Sequence, residues 1–340
     1  MTSSGLVIVD KPSGMTSHDV VARMRRLAGT RRVGHAGTLD PMATGVLVIG
    51  MEKATRLLGH LMLTEKEYAA TIRLGQSTTT DDAEGEILQA GRPSPAASDS
   101  AAGGPAQPAP AGVVAAETSE ATLRSALAAF TGEILQVPPG ISAIKVKGQR
   151  AYHLTRSGAA PELAARPVTV SRLELLAVRA SGHLLDIDVA VTCSSGTYIR
   201  AIARDLGVAL GTGGHLTALR RTRVGPYLLS DARTLDQLAE RLDFIPLADA
   251  ATAAFRRRDL TEEEARLISH GVRLPAVGVS AAETADVVSH GPVDDDLITQ
   301  TTDSAGRAAG PIAAFGPDGT LIALLTEENG QTRSLAVFVP

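Results

Sequence analysis

The sequence is poor in the residues that usually announce a function. Its 340 residues include one cysteine, Cys193, no tryptophan, four tyrosines and five phenylalanines. A lone thiol excludes an internal disulfide and fits a reducing compartment. So few aromatics argue against a protein that reads single strands by stacking successive bases on rings, and each tyrosine near a motif becomes more informative. No Gly-x-Gly-x-x-Gly follows a strand, Gly211-Thr212-Gly213-Gly214 lacks Walker spacing, and no Gly-x-Ser-x-Gly elbow is present. The eight histidines form no His-x-x-x-His pair, so a zinc centre is not expected. No long apolar run occurs either. Leu6–Val9 is too short for a signal peptide and has no basic region before it, and the uncharged stretch 100–116 is broken by Pro and Gly. The expectation is a soluble cytoplasmic protein, off the membrane, with cofactor-free and metal-free chemistry.

What is present is unevenly distributed charge. The net of −4 conceals +5 over residues 11–60, +7 over 140–226 and −9 over 227–340. Two basic segments on an acidic chain suit either a polyanion-binding face or ordinary solvated helix faces. Arg outnumbers Lys 28 to 5.

Two stretches, 92–116 and 279–309, lack hydrophobic periodicity and read as flexible insertions. Between them, Leu6–Val9, Val46–Ile49, Tyr68–Leu74, Val168–Val178 and Leu184–Thr192 read as strands, the last alternating apolar Leu185, Ile187, Val189 and Val191 with Asp186 and Asp188. Ser17 is placed to cap a helix reaching Leu27, and Ser119–Phe130, Thr197–Leu210 and Leu235–Leu242 read as further helices. Beyond residue 250 come a short acidic helix opened by Thr261 and three short strands, Ile312–Phe315, Leu321–Leu325 and Leu335–Val339. Strands and helices mix without a βαβ rhythm, so the fold class is α+β, divided near residue 250 into segments 1–250 and 251–340.

Three segments carry chemistry. The first, Gly34 to Gly45, is a glycine-rich loop presenting His35 and Asp40. Pro41 biases Asp40 toward extended backbone, which suits either a fixed nucleophile or general base or plain turn initiation. In the second, Val191 to Leu206, a strand enters a helix whose first turn holds Tyr198 and Arg200. Its exposed N–H groups would form a phosphate site, and Arg200 is either a carboxylate partner or a surface charge. Cys193 reads as a buried strand residue. The third, His215 to Gly225, holds Arg220, Arg221 and Arg223, either phosphate contacts or a solvated edge.

Taken in order, Asp10-Lys11-Pro12-Ser13-Gly14-Met15-Thr16-Ser17, the His35–Gly45 loop, Glu67-Tyr68 with Arg73-Leu74-Gly75, Val137-Pro138-Pro139 through Tyr152, Ser195–Arg200 and Leu219-Arg220-Arg221 resemble the TruB-type bacterial tRNA pseudouridine-55 synthases over residues 5–229. The resemblance implies a mixed, mainly antiparallel catalytic sheet with a small PUA-like β domain after residue 250. It implies isomerisation of one uridine in the tRNA T loop, with the T arm gripped by segment 117–160. Asp40 matches the catalytic aspartate, Arg200 its arginine partner and Tyr68 the tyrosine stacked on the target base. Tyr198 and Leu219 match pocket positions, His35 a histidine associated with flipping, and Lys11 and Pro12 the motif supporting the loop. Lys11, Arg220 and Arg221 are expected to bind substrate. Thr78-Thr79-Thr80-Asp81-Asp82 and Ile141-Ser142-Ala143 depart from the family pattern, and neither is expected to touch the catalytic pair. A monomer acting without a protein partner is expected. The alternative is a tRNA-binding folding helper that opens and recloses the tRNA elbow.

Overall fold

A computed structural model describes residues 4–88, 118–140, 145–146, 149–150, 163–276 and 310–339. The insertion 92–116, most of 141–160 and the stretch 279–309 lie outside the described residues. The strands run β1 (Gly5–Lys11), β2 (Val33–Ala36), β3 (Thr44–Met51), β4 (Lys66–Leu74), β5 (Ser77–Thr78), β6 (Ile87–Leu88), β7 (Gly132–Gln136), β8 (Lys145–Val146), β9 (Gln149–Arg150), β10 (Arg166–Ser181), β11 (Leu184–Cys193), β12 (Gly214–Val224), β13 (Tyr227–Leu228), β14 (Ile245–Pro246), β15 (Arg256–Asp259), β16 (Ile312–Phe315), β17 (Leu321–Glu328) and β18 (Gln331–Val337). The α-helices are α1 (Ser17–Ala28), α2 (Leu58–Leu61), α3 (Glu120–Ala128), α4 (Ile199–Ala209), α5 (Leu235–Glu240), α6 (Leu247–Ala254) and α7 (Glu262–Ser269).

Ten strands form one mixed sheet in the order β14-β1-β3-β12-β4-β11-β10-β7, with β2 added on β3 and β13 on β12. Within it only β3 and β12 pair in parallel, through Thr44↔Arg220 and Gly45↔Arg221. This junction brings the start of β3, just after the Asp40 loop, against β12 from the middle of the chain. Gly45 is required there. It has φ +98°, and a side chain would sit inside the Arg221 backbone.

Period-two patterning decides the two faces of the sheet. In β11 the residues Leu185, Ile187, Val189 and Val191 join Ile72 and Leu74 of β4 beneath α3 and α4. Asp186 and Asp188 point the other way and pair with Arg73 (2.7 Å) and Arg179. On β1 and β3, Val7, Val9, Leu47 and Ile49 pack under Val20, Val21 and Met24 of α1. Each such buried aliphatic side chain contributes roughly 1.5–3 kcal/mol.

Several local expectations shift by a residue, for physical reasons. Thr16, not Ser17, caps α1: its hydroxyl accepts from the Asp19 N–H at 3.1 Å, and the Asp19 carboxylate accepts the Thr16 N–H at 2.9 Å, a reciprocal capping box. Ser17 is thereby released to hydrogen-bond the backbone of Leu39. Helix α4 begins at Ile199, with Tyr198 as its N-cap residue.

The C-terminal segment forms a four-stranded sheet, β15-β16-β17-β18. Three of these strands follow the sequence reading, whereas β15 is new: its run Arg256-Arg257-Arg258 conceals any apolar alternation. Thr261 and Glu264 form the capping box of α7. The small sheet is not free-standing. Phe315, Leu321, Leu324 and Phe338 share a buried cluster with Leu6, Ile8, Val46 and Val48. The division expected near residue 250 falls inside α6, whose Ala250 and Ala251 are buried in that cluster.

Candidate active site

The loop from Gly37 to Ala43, between β2 and β3, is tied down at almost every carbonyl. Arg221 is fully buried and donates from Nε to the Val46 carbonyl (2.7 Å) and from Nη2 to that of Gly37 (2.9 Å). Lys11, also fully buried, donates from Nζ to the carbonyls of Met15 (2.6 Å), Pro12 (2.9 Å) and Pro41 (3.1 Å). Burial pushes its ammonium down to about 8, with the Asp40 carboxylate acting in the opposite sense. The Gly14 N–H reaches the Pro41 carbonyl at 2.9 Å, and the Ser17 hydroxyl accepts the Leu39 N–H at 2.9 Å. Gly37 takes φ +77° directly above the Arg221 and Lys66 side chains. The reading of Lys11 and Arg221 as substrate contacts is therefore corrected: their charged ends lie beneath the loop and satisfy its carbonyls, which would otherwise be buried without donors.

From this fixed loop the Asp40 side chain emerges with 33% exposure against an Arg200 side chain only 5% exposed. Arg200 Nη2 donates to Asp40 Oδ1 at 3.0 Å, and Nε lies 3.0 Å from Oδ2 as an ionic contact with the same carboxylate. The other edge of the guanidinium faces the turn between β5 and β6. Nη1 donates to the Thr80 carbonyl at 2.9 Å and lies 3.5 Å from the buried carboxylate of Asp82. The segment Thr78–Asp82 thus does touch the Asp40–Arg200 pair, contrary to the sequence reading, because the turn between β5 and β6 packs against the start of α4. Thr78 holds this turn by donating its hydroxyl to the Asp82 carbonyl at 2.7 Å.

Behind this pair stands a second, buried one. Arg204, one helical turn after Arg200, lies 3.3 Å from Asp81 and donates to Asp205 (2.8 Å) and to the Val137 carbonyl (2.8 Å). Asp81 adopts φ +60°, and burial pushes its carboxyl up to about 6 although both arginines oppose this. Gln136 exchanges two hydrogen bonds with the Tyr198 backbone, accepting its N–H at 2.8 Å and donating to its carbonyl at 3.0 Å. The first of these covers an N–H that the sequence reading left open for phosphate. Thr80, Asp81, Asp82, Gln136 and Arg204 were missed because the partners that tie them to this site, Arg200 for Thr80 and Asp82, Tyr198 for Gln136 and the Asp81–Arg204 pair, are met only through tertiary folding. The one legible hint is the i, i+4 spacing of Arg200 and Arg204 on α4.

Tyr68 on β4 sits in the same buried cluster as Leu39 and Leu219, opposite Arg221 across the β4–β12 pair. Burial pushes its phenol pKa up, with the charge of Arg221 acting in the opposite sense. Asp40, Arg200, Tyr68 and Leu219 thus converge around one loop, with Tyr198 at the start of α4. Arg220 points to the opposite face of the sheet. It pairs with Asp10 at 2.7 Å and Thr44 at 3.1 Å, beside a groove of about 580 Å³ that it lines with Met42 and Leu219.

His35 belongs to β2 rather than to the loop and pairs with Ile49. Its ring meets that of His18 edge-on, with centroids 5.4 Å apart. Burial, with His18 and Arg221 nearby, pushes His35 down to about 4. A base whose folded pKa is depressed adds stability above its unfolded pKa, near 6.5, and that contribution is lost as pH falls toward 4. The imidazole of His35 should therefore keep its neutral NMR shifts from pH 8 to about 5. A midpoint near 6.5 would contradict this environment. Cys193 is buried on β11, and burial pushes its thiol up to about 11, so it is not a nucleophile.

Comparison with known proteins bears on the whole chain. The model of the TruB family pseudouridylate synthase N-terminal domain matches residues 25–102 and 110–199. The chain belongs to the TruB family. Two further TruB models match downstream, a tRNA pseudouridylate synthase B C-terminal domain over 200–251 and a tRNA pseudouridine synthase II C-terminal region over 303–339. The tRNA pseudouridine synthase B of Arthrobacter sp. (strain FB24) is 55% identical, covering 99% of this chain and 97% of its own. That of Mycobacterium bovis (strain ATCC BAA-935 / AF2122/97) is 50% identical over 100% of this chain and 97% of its own. Among solved structures, a chain of a Cbf5–Nop10–Gar1 complex aligns with TM-score 0.63 at 23% identity, covering 99% of this TruB chain and 85% of its own. A chain of an archaeal box H/ACA Nop10–Cbf5 complex gives 0.63 at 22%, covering 100% and 87%. At that identity these two likenesses show a shared fold.

Proposed function

We propose that this chain isomerises a uridine of tRNA to pseudouridine, acting on position 55 in the T loop. The carrying observation is a single carboxylate, Asp40, hydrogen-bonded and ion-paired to a buried Arg200 on a loop whose carbonyls are held by Lys11 and Arg221. This sits in a chain about half identical, end to end, to proteins named tRNA pseudouridine synthase B.

A stacked uridine hides its glycosidic bond, so the nucleotide leaves the stack before reaction. Leu219 and Tyr198 line the receiving pocket, Tyr68 stacks on the base and neutral His35 fills the gap left behind. Asp40 then attacks the ribose or removes a ribose proton, and Arg200 keeps it aimed. The C1′–N1 bond breaks, the base turns, a C1′–C5 bond forms as Asp40 is released, the C5 hydrogen leaves as a proton and N1 takes one up. No redox partner enters that balance. We further read the chain as a cytoplasmic monomer working on bare tRNA.

The test is tritium release from tRNA transcribed with uridine labelled at C5. About one equivalent per tRNA is expected, lost when uridine 55 is replaced by cytidine. No release from wild-type protein that binds the tRNA would move the folding-helper reading to first place.

A further inference from the structure

Charge pairing on this molecule is uneven. Across the large sheet and the C-terminal segment most described arginines have carboxylate partners, among them Arg73 with Asp186 at 2.7 Å, Arg223 with Glu65 at 2.6 Å, Arg241 with Asp243 at 2.7 Å and Arg333 with Glu328 at 3.1 Å, and the exposed exceptions Arg166, Arg266 and Arg273 are scattered along the chain. One stretch has almost none. Among the described residues Arg23, Arg26 and Arg31 make no ion pair, and Arg25 donates to the Val33 carbonyl at 3.3 Å. Arg32 has a 77% exposed side chain and reaches Glu52 only at 3.9 Å. Lys53 is exposed nearby, Glu52 already accepts the Thr30 hydroxyl, and Asp19 of the same helix is engaged by Thr16.

Position gives this patch meaning. Helix α1 starts at Ser17, which is hydrogen-bonded to Leu39, the residue before Asp40. Its 12 residues span about 18 Å and end at Arg25 and Arg26. The chain then turns through Arg31 and Arg32 and returns along β2 to His35 and the catalytic loop. The arginines therefore crown the far end of a rigid element wired at its near end to Asp40.

We propose that Arg23, Arg26, Arg31 and Arg32 form a track for backbone phosphates of the substrate RNA, flanking the nucleotide that enters beside Asp40. This rests on the tRNA reading above. Guanidinium forks suit phosphate oxygens bidentately, and leaving them without carboxylates keeps them available to a polyanion. A lipid surface fits less well, because no large apolar side chain between residues 17 and 56 is exposed to enter it.

The decisive variant is the full chain carrying Arg26→Ala, Arg31→Ala and Arg32→Ala. Binding to unmodified tRNA is measured from about 50 to 300 mM KCl. Each lost phosphate contact lowers the slope of log K against log salt by roughly 0.7–0.9, so the slope should drop by about two to three and affinity at about 100 mM by tenfold or more. The single-turnover rate at saturating tRNA should not change, and the matching Arg→Lys triple should recover most of the slope. A control triple, Arg172→Ala, Arg241→Ala and Arg333→Ala, removes paired arginines elsewhere and should leave the slope in place. A variant that keeps the wild-type slope and affinity overturns the track, as does one whose turnover falls while its binding is untouched. Wild-type protein that neither binds nor turns over tRNA would instead sink the underlying function.

Discussion

Asp40→Asn should eliminate tritium release, by a factor of about 10⁴ or more, while changing tRNA affinity less than about twofold. Asparagine keeps the shape and still offers an oxygen to Arg200, so the contact at 3.0 Å can survive in part. What disappears is the charge, and with it both candidate actions, attack on carbon and removal of a ribose proton. The loop itself does not depend on the Asp40 side chain, since its carbonyls are held by Lys11 and Arg221. Binding energy from phosphates is equally remote from it. Single-turnover release and equilibrium binding, measured on the same preparations, decide the matter. Turnover within tenfold of wild type would remove Asp40 from the chemistry, and a large loss of affinity would make it a binding residue.

Arg204→Met should destabilise the fold by about 3–5 kcal/mol, measured by urea unfolding, because it leaves the Asp81 carboxylate buried without its nearest cation. The sign of its pH dependence follows from Asp81. Burial already raises that group to about 6, so its contribution to stability is present below its unfolded value, near 4, and is lost as pH rises through 6. Without Arg204 the proton is held more tightly still. The penalty should therefore be smaller at pH 5 than at pH 7.5, and Asp81→Asn in the same chain should relieve much of it. Activity should fall too: Arg204 anchors the turn from which Thr80 and Asp82 hold Arg200. Equal stability of variant and wild type at both pH values would show that the second ion pair is not structural.

The sequence by itself determined a good deal. Alternation in 184–192 and 66–74 fixed which side chains are inside, since a strand offers only two faces and one is covered by helices. The capping patterns at Thr16 and Thr261 and the left-handed Gly29 are local devices, so the helix ends came out within two residues. The motif series from Asp10 to Arg221 placed the chain in its family and singled out Asp40, Tyr68 and Arg200. Tertiary structure alone decided what those residues stand on. Lys11 and Arg221 look like free cations in the sequence, yet burial without carboxylates turns them into donors for the carbonyls of Met15, Pro41, Gly37 and Val46. Asp81 and Asp82 lie more than a hundred residues from the arginines they face, and no spacing rule reaches that far. Helix and strand signals are local because hydrogen bonds and caps act over a few residues. The charge state and aim of a carboxylate are set by whichever buried groups the fold brings within about 4 Å of it.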